Sequence, residues 1–482
     1  MDLTEIPPDY FENPAVRRRI HEFLGRKHSG SPTCRFFTAD DPFQASTRPR
    51  PMSQLSACLG EGMSIARSLW DRDHFLVDLD IEYVNFDFAA EPYLNQARTF
   101  ELQEPVVRVI RKLLNESQIR PLHLYSGRGH HFLWKISQDS PAFASLVEIG
   151  SKIVDREYPR RFEGEPVPEE LTAAFAGLGL VMEHLAHKIK QVAAAVSEVP
   201  VELTAIEVGP GECGREMISI DISEYGDPLQ TRSVRVPFTP YWKPWQQPDL
   251  MGGPALEGLK PIFVTPLPPI ENFGGFELLH DPAQAAAAAH CVATVIPTLD
   301  DAMETMISQY LASPLRRFHE FFYSRQQTRE EDWPRSYGDF PLETLPPCAQ
   351  LVLNQPNDLL LKPWGIRLVT RSLLALGWHP RHISGLIRAK FKDDHGWEDR
   401  WNGYDPAMRA DFYTRVFSGL FMVGRDDLVD FNCQSSKEER TCLIAECPKN
   451  LAWYRDSALS RRRYGYLADR PFNGLFLPNE HL

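Results

Sequence analysis

Phe75-Leu76-Val77-Asp78-Leu79-Asp80-Ile81-Glu82 sets two carboxylates one residue apart inside an apolar run. Side chains in a strand alternate between faces, so Asp78 and Asp80 share one face, about 6–7 Å apart along the chain, while Val77, Leu79 and Ile81 face a core. Two like charges this close repel unless something positive lies between them. A hard divalent cation, Mg²⁺ or Mn²⁺, held by carboxylate oxygens together with substrate phosphates, is the usual solution. An edge strand with solvated acids is the plain alternative, and the segments downstream weigh against it.

The next informative stretch runs from Pro121 to Ile136 and contains Ser126-Gly127-Arg128-Gly129-His130-His131. It reads as strand, glycine turn, strand. Val106, Val107, Ile110, Leu113 and Leu114 recur at helical spacing before it and Pro121 limits that helix, so the order is strand, helix, strand, hairpin. Glycines at 127 and 129 let the backbone approach a ligand, while Ser126, the exposed amides and Arg128 suit phosphate oxygens. His131 and Lys135 fall on one face of the second strand, within joint reach of a polyphosphate; a plain hairpin is the competing reading.

A third acid stands in an apolar strand, Met217-Ile218-Ser219-Ile220-Asp221-Ile222, and basic residues follow at Arg232, Arg235 and Lys243. Asp221 would complete a three-carboxylate site. A metal pair about 3.5–4 Å apart needs several oxygen ligands, and in-line phosphoryl chemistry is what such pairs perform.

In this order the three segments resemble the archaeo-eukaryotic primase superfamily, whose motifs are an apolar Asp-x-Asp strand, a Ser-Gly-x-Gly-x-His turn and a third apolar-Asp strand. Asp78 and Asp80 match the first, Ser126, Gly127, Arg128, Gly129 and His131 the second, and Asp221 the third. His131 is preferred to His130 because it falls at the motif's spacing and leads the face carrying Lys135. The resemblance covers roughly residues 60–245. It implies that the three acids bind Mg²⁺ or Mn²⁺, that His131 contacts nucleotide phosphates, and that Arg235 and Lys243 extend the nucleotide site, although Thr239 stands where a serine is common. The implied substrates are NTPs or dNTPs on a single-stranded DNA template.

The 482 residues, 43% of them hydrophobic, are enough for at least two cores. No run approaches a membrane span of about 18 apolar residues, and the N-terminus lacks a secretory pattern, so a cytoplasmic protein with no membrane partner is expected. A net charge of -13 argues against a uniformly basic nucleic-acid coat but leaves room for a local groove. Basic clusters occur at Arg17-Arg18-Arg19 with Arg26-Lys27, at Arg381, Arg388, Lys390 and Lys392, and at Arg455, Arg461, Arg462 and Arg463. The last interleaves with Tyr454, Tyr464 and Tyr466 and is the preferred site for stacking unpaired bases. No Gly-x-x-x-x-Gly-Lys-[Ser/Thr] loop occurs, so any unwinding falls to a separate helicase.

Nine prolines between Pro237 and Pro269 mark a boundary. The expected organisation is a catalytic domain over 1–245, a proline-rich linker and helical connector over 246–340, and a helical C-terminal domain over 341–482. Within the connector, helices are expected at Ala283–Ile296, Leu299–Leu311 and Leu315–Arg325. The fold class is α+β, a primase-type domain of mixed sheets and helices followed by a mostly α-helical unit with a four-cysteine site. That unit holds Cys348, Cys433, Cys442 and Cys447, whereas Cys34, Cys58, Cys213 and Cys291 are scattered. Four intracellular thiols suit Zn²⁺ or a [4Fe-4S] cluster, with buried unligated cysteines as the alternative. Leu345-Pro346-Pro347-Cys348, Arg367-Leu368-Val369, Leu373-Leu374-Ala375-Leu376-Gly377 and Cys447-Pro448 look like the C-terminal domain of the primase large subunit, which implies the iron-sulfur cluster. The compact spacing of the last three cysteines departs from that pattern.

Overall fold

The computed structural model describes residues 6–7, 9–26, 31–46, 48–153, 166–212, 214–248, 259–267, 275–354, 359–360, 362–391, 405–445 and 447–466, with residues 406 and 463–466 described by backbone alone. Lys27, Cys213, Pro254, Pro268, Pro269 and Lys392, and the side chains of Arg463, Tyr464 and Tyr466, lie outside the described residues.

The architecture is α+β. Among the described residues eleven strands follow in chain order: β1 (Phe37–Asp40), β2 (Ser64–Ser68), β3 (His74–Asn85), β4 (Leu122–Tyr125), β5 (Gly129–Ser137), β6 (Val201–Leu203), β7 (Glu216–Asp221), β8 (Ser233–Arg235), β9 (Pro240–Tyr241), β10 (Ile262–Phe263) and β11 (Thr265–Pro266). A six-stranded sheet has the order β11-β4-β5-β3-β7-β6, antiparallel except for the parallel β6–β7 pair. β1, β2 and β8 form a separate antiparallel sheet, and β9 pairs with β10.

The central strand β3 explains where the site lies. From His74 to Leu79 it is buried on both faces; beyond that, Asp80, Glu82 and Val84 are half-buried while Ile81, Tyr83 and Asn85 stay buried. One face of the sheet therefore opens at Asp80. The closed face carries helices: Phe75 meets Phe143 of Pro141–Ser151 and Phe175 of Glu169–Ala193, with ring centroids about 6 Å apart. Phe100 of helix Gln96–Glu116 packs on His130 at 5.4 Å.

Prolines start helices in this chain as well as interrupting structure. Pro14, Pro141, Pro282, Pro314, Pro347, Pro363, Pro380 and Pro406 each occupy the first position of an α-helix, where the missing N–H costs nothing and φ is already helical. The expected helix over Ala283–Ile296 runs instead from Pro282 to Cys291, because Thr294 is drawn out to donate to the Arg19 carbonyl at 2.5 Å. The next two helices are Asp300–Leu311 and Pro314–Tyr323.

The described part of segment 246–340 is bound into the sheet. β11 adds to the edge at β4, and Lys135 of β5 exchanges backbone hydrogen bonds with Pro297 and Leu299 at 2.9 and 3.0 Å. Residues beyond 341 form helices that pack on the sheet-bearing part through buried ions. Glu183, fully buried, accepts from Arg415 at 2.8 Å and pairs with His319 at 3.1 Å, and Arg215 donates to the Glu439 carbonyl at 2.8 Å. Among the described residues no helix is long and apolar enough to cross a membrane.

Candidate active site

Three adjacent strands bring the three motifs together. In register, Asp80 of β3 lies opposite His131 of β5 on one side and Asp221 of β7 on the other. Alternation puts Asp78 on the same face, where His131 Nδ1 sits 3.1 Å from Asp78 Oδ2 and 3.7 Å from Asp80 Oδ1. Burial pulls the His131 pKa down, but the Asp80 and Asp78 carboxylates more than reverse that and raise it to about 10, so the imidazolium is the counter-charge of this site. Burial, and then the charges of Glu82, Asp78 and Asp221, hold the Asp80 carboxyl well above its ordinary range against the pull of His131.

His130 points to the closed face, where its Nδ1 lies 3.0 Å from His123 Nε2 and burial lowers its pKa to about 3. Neighbouring residues on a strand thus divide between a charged histidine in the site and a neutral one in the core.

The turn between β4 and β5 has the geometry its glycines permit. Gly127 adopts φ +87°, and a Cβ on Gly129 would lie 1.9 Å from the Ile81 carbonyl oxygen, so the turn sits directly on β3. Ser126 Oγ donates to the Gly129 carbonyl at 3.3 Å. Arg128 pairs with Glu82; burial would raise the Glu82 carboxyl, but Arg128 and then Lys243 bring it down to about 2. Arg235 is held by Asp40 at 2.9 Å and by Ser64 at 2.6 Å, with its guanidinium 5.0 Å from the centre of the Tyr241 ring. The charges of Lys243, Arg128 and Arg235 outweigh burial and lower the Tyr241 pKa. The site thus has an acidic pole around Asp80 and a basic one formed by Arg128, Arg235 and Lys243.

Sequence reasoning missed a fourth carboxylate. The 3-10 turn Ser223–Gly226 follows β7 and brings Glu224 within electrostatic reach of Asp221. Burial, and then the negative charges of Asp78, Asp80 and Asp221, raise its pKa strongly. An acid three residues beyond a strand-end acid was the available signal. Asp80 Oδ1 and Glu224 Oε1 are both buried without a hydrogen-bond partner, and such oxygens suit a divalent cation.

The four C-terminal cysteines also come together. Cys348, Cys433, Cys442 and Cys447 all line one cavity of about 190 Å³, together with Trp364, Arg367, Arg371 and Asp430. Their thiols are free, and burial, then the neighbouring Cys447 and Cys442, push Cys348 up to about 12. Four sulfurs around one cavity fit a thiophilic ion or a cluster. In neither site do three His, Cys, Asp or Glu side chains among the described residues already converge on a common metal position.

The basic and aromatic segment expected to contact DNA is largely engaged within the fold. Tyr454 is buried and donates to the Thr344 carbonyl at 2.6 Å, Arg461 donates to the Ala375 carbonyl at 2.9 Å, and Arg462 donates to the Phe421 and Asp426 carbonyls at 3.0 and 2.8 Å. Cationic side chains near helix ends commonly satisfy the last carbonyls, and these two do so here. Among the described side chains of helix Leu451–Tyr466, the exposed aromatic one is Trp453. Arg19, with Glu22 and the Ala289 carbonyl, and Arg381, with Asp411, are likewise engaged.

Compared with known proteins, the chain matches no family model, no curated protein and no solved structure.

Proposed function

We propose that the chain is a primase-polymerase of the archaeo-eukaryotic type, performing template-directed nucleotidyl transfer on single-stranded DNA to make or extend short primers from NTPs or dNTPs. The observation that carries this reading is the placement of Asp78, Asp80 and Asp221 on one face of adjacent strands, beside a histidine and a basic pole, with two buried carboxylate oxygens that accept no hydrogen bond. A site with an acidic half and a basic half suits a substrate that is a polyanion carried with its metal ions.

In this reading Asp78, Asp80 and Asp221 hold Mg²⁺ or Mn²⁺, which when bound supplies the charge that activates a primer 3′-hydroxyl and stabilises the leaving pyrophosphate. His131 donates to a phosphate oxygen. Arg128 and Lys243 neutralise the triphosphate, with Arg235 held behind them by Asp40. Ser126 and the turn amides orient it, since Gly127 and Gly129 place no side chain in the way. The cysteine cavity holds a [4Fe-4S] cluster or Zn²⁺ in a unit that assists template binding, and a separate helicase supplies single strands.

The test is incubation of the purified protein with unprimed single-stranded DNA, labelled NTPs or dNTPs and Mn²⁺ or Mg²⁺, with Asp78→Ala/Asp80→Ala as control. New oligonucleotides are expected from the wild type alone. Extension only from a supplied primer would mark a gap-filling polymerase, and no product in either arm would overturn the assignment. Brown colour after anaerobic purification identifies a cluster in the cysteine cavity; stoichiometric zinc without colour identifies Zn²⁺.

A further inference from the structure

We infer that Glu224 is a fourth carboxylate ligand of the cation site, supplied by the turn after β7 and held in place by the C-terminal helices. The inference rests on the reading of Asp78, Asp80 and Asp221 as ligands of a divalent ion.

The turn is anchored to the site on both sides of Glu224. Ser223 N–H donates to Asp221 Oδ1 at 2.9 Å, and the Tyr225 hydroxyl donates to the Asp78 carbonyl at 2.7 Å. Between these anchors Glu224 carries a buried Oε1 with no partner. Asp80 Oδ1, 3.7 Å from His131 Nδ1, likewise accepts no hydrogen bond, and neither does the Oγ of Ser219, which is 1% exposed and lies on the Asp221 face of β7. A buried polar group without a hydrogen bond is costly, more so when charged, and a hard cation is one remedy for such oxygens. Three monodentate aspartates leave much of a two-ion site to water and substrate. A fourth carboxylate adds an oxygen ligand and negative charge, the two quantities that raise affinity for such ions.

What holds the turn is remote in sequence. A Cβ on Gly226 would lie 2.7 Å from the ring of Phe412, so helix Pro406–Met422 abuts the turn itself. Asp227 is fully buried and accepts from Arg232 and from Arg409 of that helix, the latter at 3.2 Å. The helical unit thus buttresses the segment that carries the fourth ligand.

Calorimetric titration of the full-length protein with Mn²⁺ alone, without nucleotide, tests this on wild type, Glu224→Gln and Asp80→Asn. Glu224→Gln keeps the shape and removes the charge, and its thermal unfolding without metal checks the fold; Glu224→Asp is the second variant, keeping the charge on a shorter arm. Glu224→Gln should bind Mn²⁺ at least ~10-fold more weakly, or lose one equivalent, and show a smaller Mn²⁺-induced rise in Tm, with Glu224→Asp intermediate. Wild-type affinity in Glu224→Gln alongside weakened binding in Asp80→Asn would overturn the inference, and a wild type that binds no Mn²⁺ would overturn it together with the cation-site reading. Weakened binding in Glu224→Gln with no primer synthesis by the wild type would leave Glu224 a ligand and sink the polymerase reading alone.

Discussion

Gly129 carries the tightest constraint at the residue scale, because the Ile81 carbonyl occupies the place where any side chain would begin. Gly129→Ala should cost about 2–3 kcal/mol, since backbone cannot swing aside as a flexible side chain can. Urea unfolding measures this, and a midpoint equal to wild type would show that the turn does not rest on β3. The His130–His131 pair makes a related point. Alternation sends two chemically identical side chains to opposite faces, and surroundings alone make one an imidazolium and leave the other neutral.

Between elements, a fully buried polar tie joins helices Glu169–Ala193, Pro314–Tyr323 and Pro406–Met422. Glu183 accepts from Arg415 and pairs with His319, and Tyr310 OH lies 3.0 Å from the other ring nitrogen of His319. Burial would raise the Glu183 carboxyl, but Arg415, then His319, bring it down to about 2. Removing one partner strands the other in the interior. Arg415→Met should therefore cost about 3–5 kcal/mol, whereas Arg415→Met combined with Glu183→Leu should recover most of that loss. Denaturant titration of the two variants decides it: equal losses in the single and double variants would mean that packing, not charge, holds these helices together.

Across the whole molecule, buried histidines set the acid limit of stability. Burial first, and neighbouring positive charges in most cases, lower His130, His187 and His379 to about 3 and His382 to about 4. A histidine depressed in the folded state contributes stability that is present above its unfolded value near 6.5 and is lost as pH falls toward the folded value. Each can remove up to about 1.4 kcal/mol per pH unit in that window. Glu439, raised to about 7 mainly by burial, acts oppositely: its contribution is present below the unfolded carboxyl value and fades as pH rises through 7. Thermal unfolding should accordingly show Tm falling from pH 6.5 toward 4. Neither ring nitrogen of His187 makes a hydrogen bond, and Glu183 Oε1 lies 3.9 Å from its Nε2, so His187→Phe should flatten that fall by about one proton's share. An unchanged slope would mean that His187 is already protonated in the fold.

Local chemistry carried a large part of this protein. Alternation along β3 and β5 puts Asp78, Asp80 and His131 on one face, paired glycines dictate the turn, and prolines mark helix starts, all within a few residues of chain. The tertiary structure decided what depends on distant partners. The turn that carries Glu224 is buttressed by Phe412 and Arg409 from a helix far along the chain. Tyr454, Arg461 and Arg462 are drawn inward because carbonyls from other helices need donors, and β11 completes the sheet edge from inside a proline-rich segment. Four cysteines spread over a hundred residues line one cavity only once the helices between them have packed. Periodicity reports which way a side chain points, but what it meets there is settled by long-range packing and by the requirement that buried polar groups find partners.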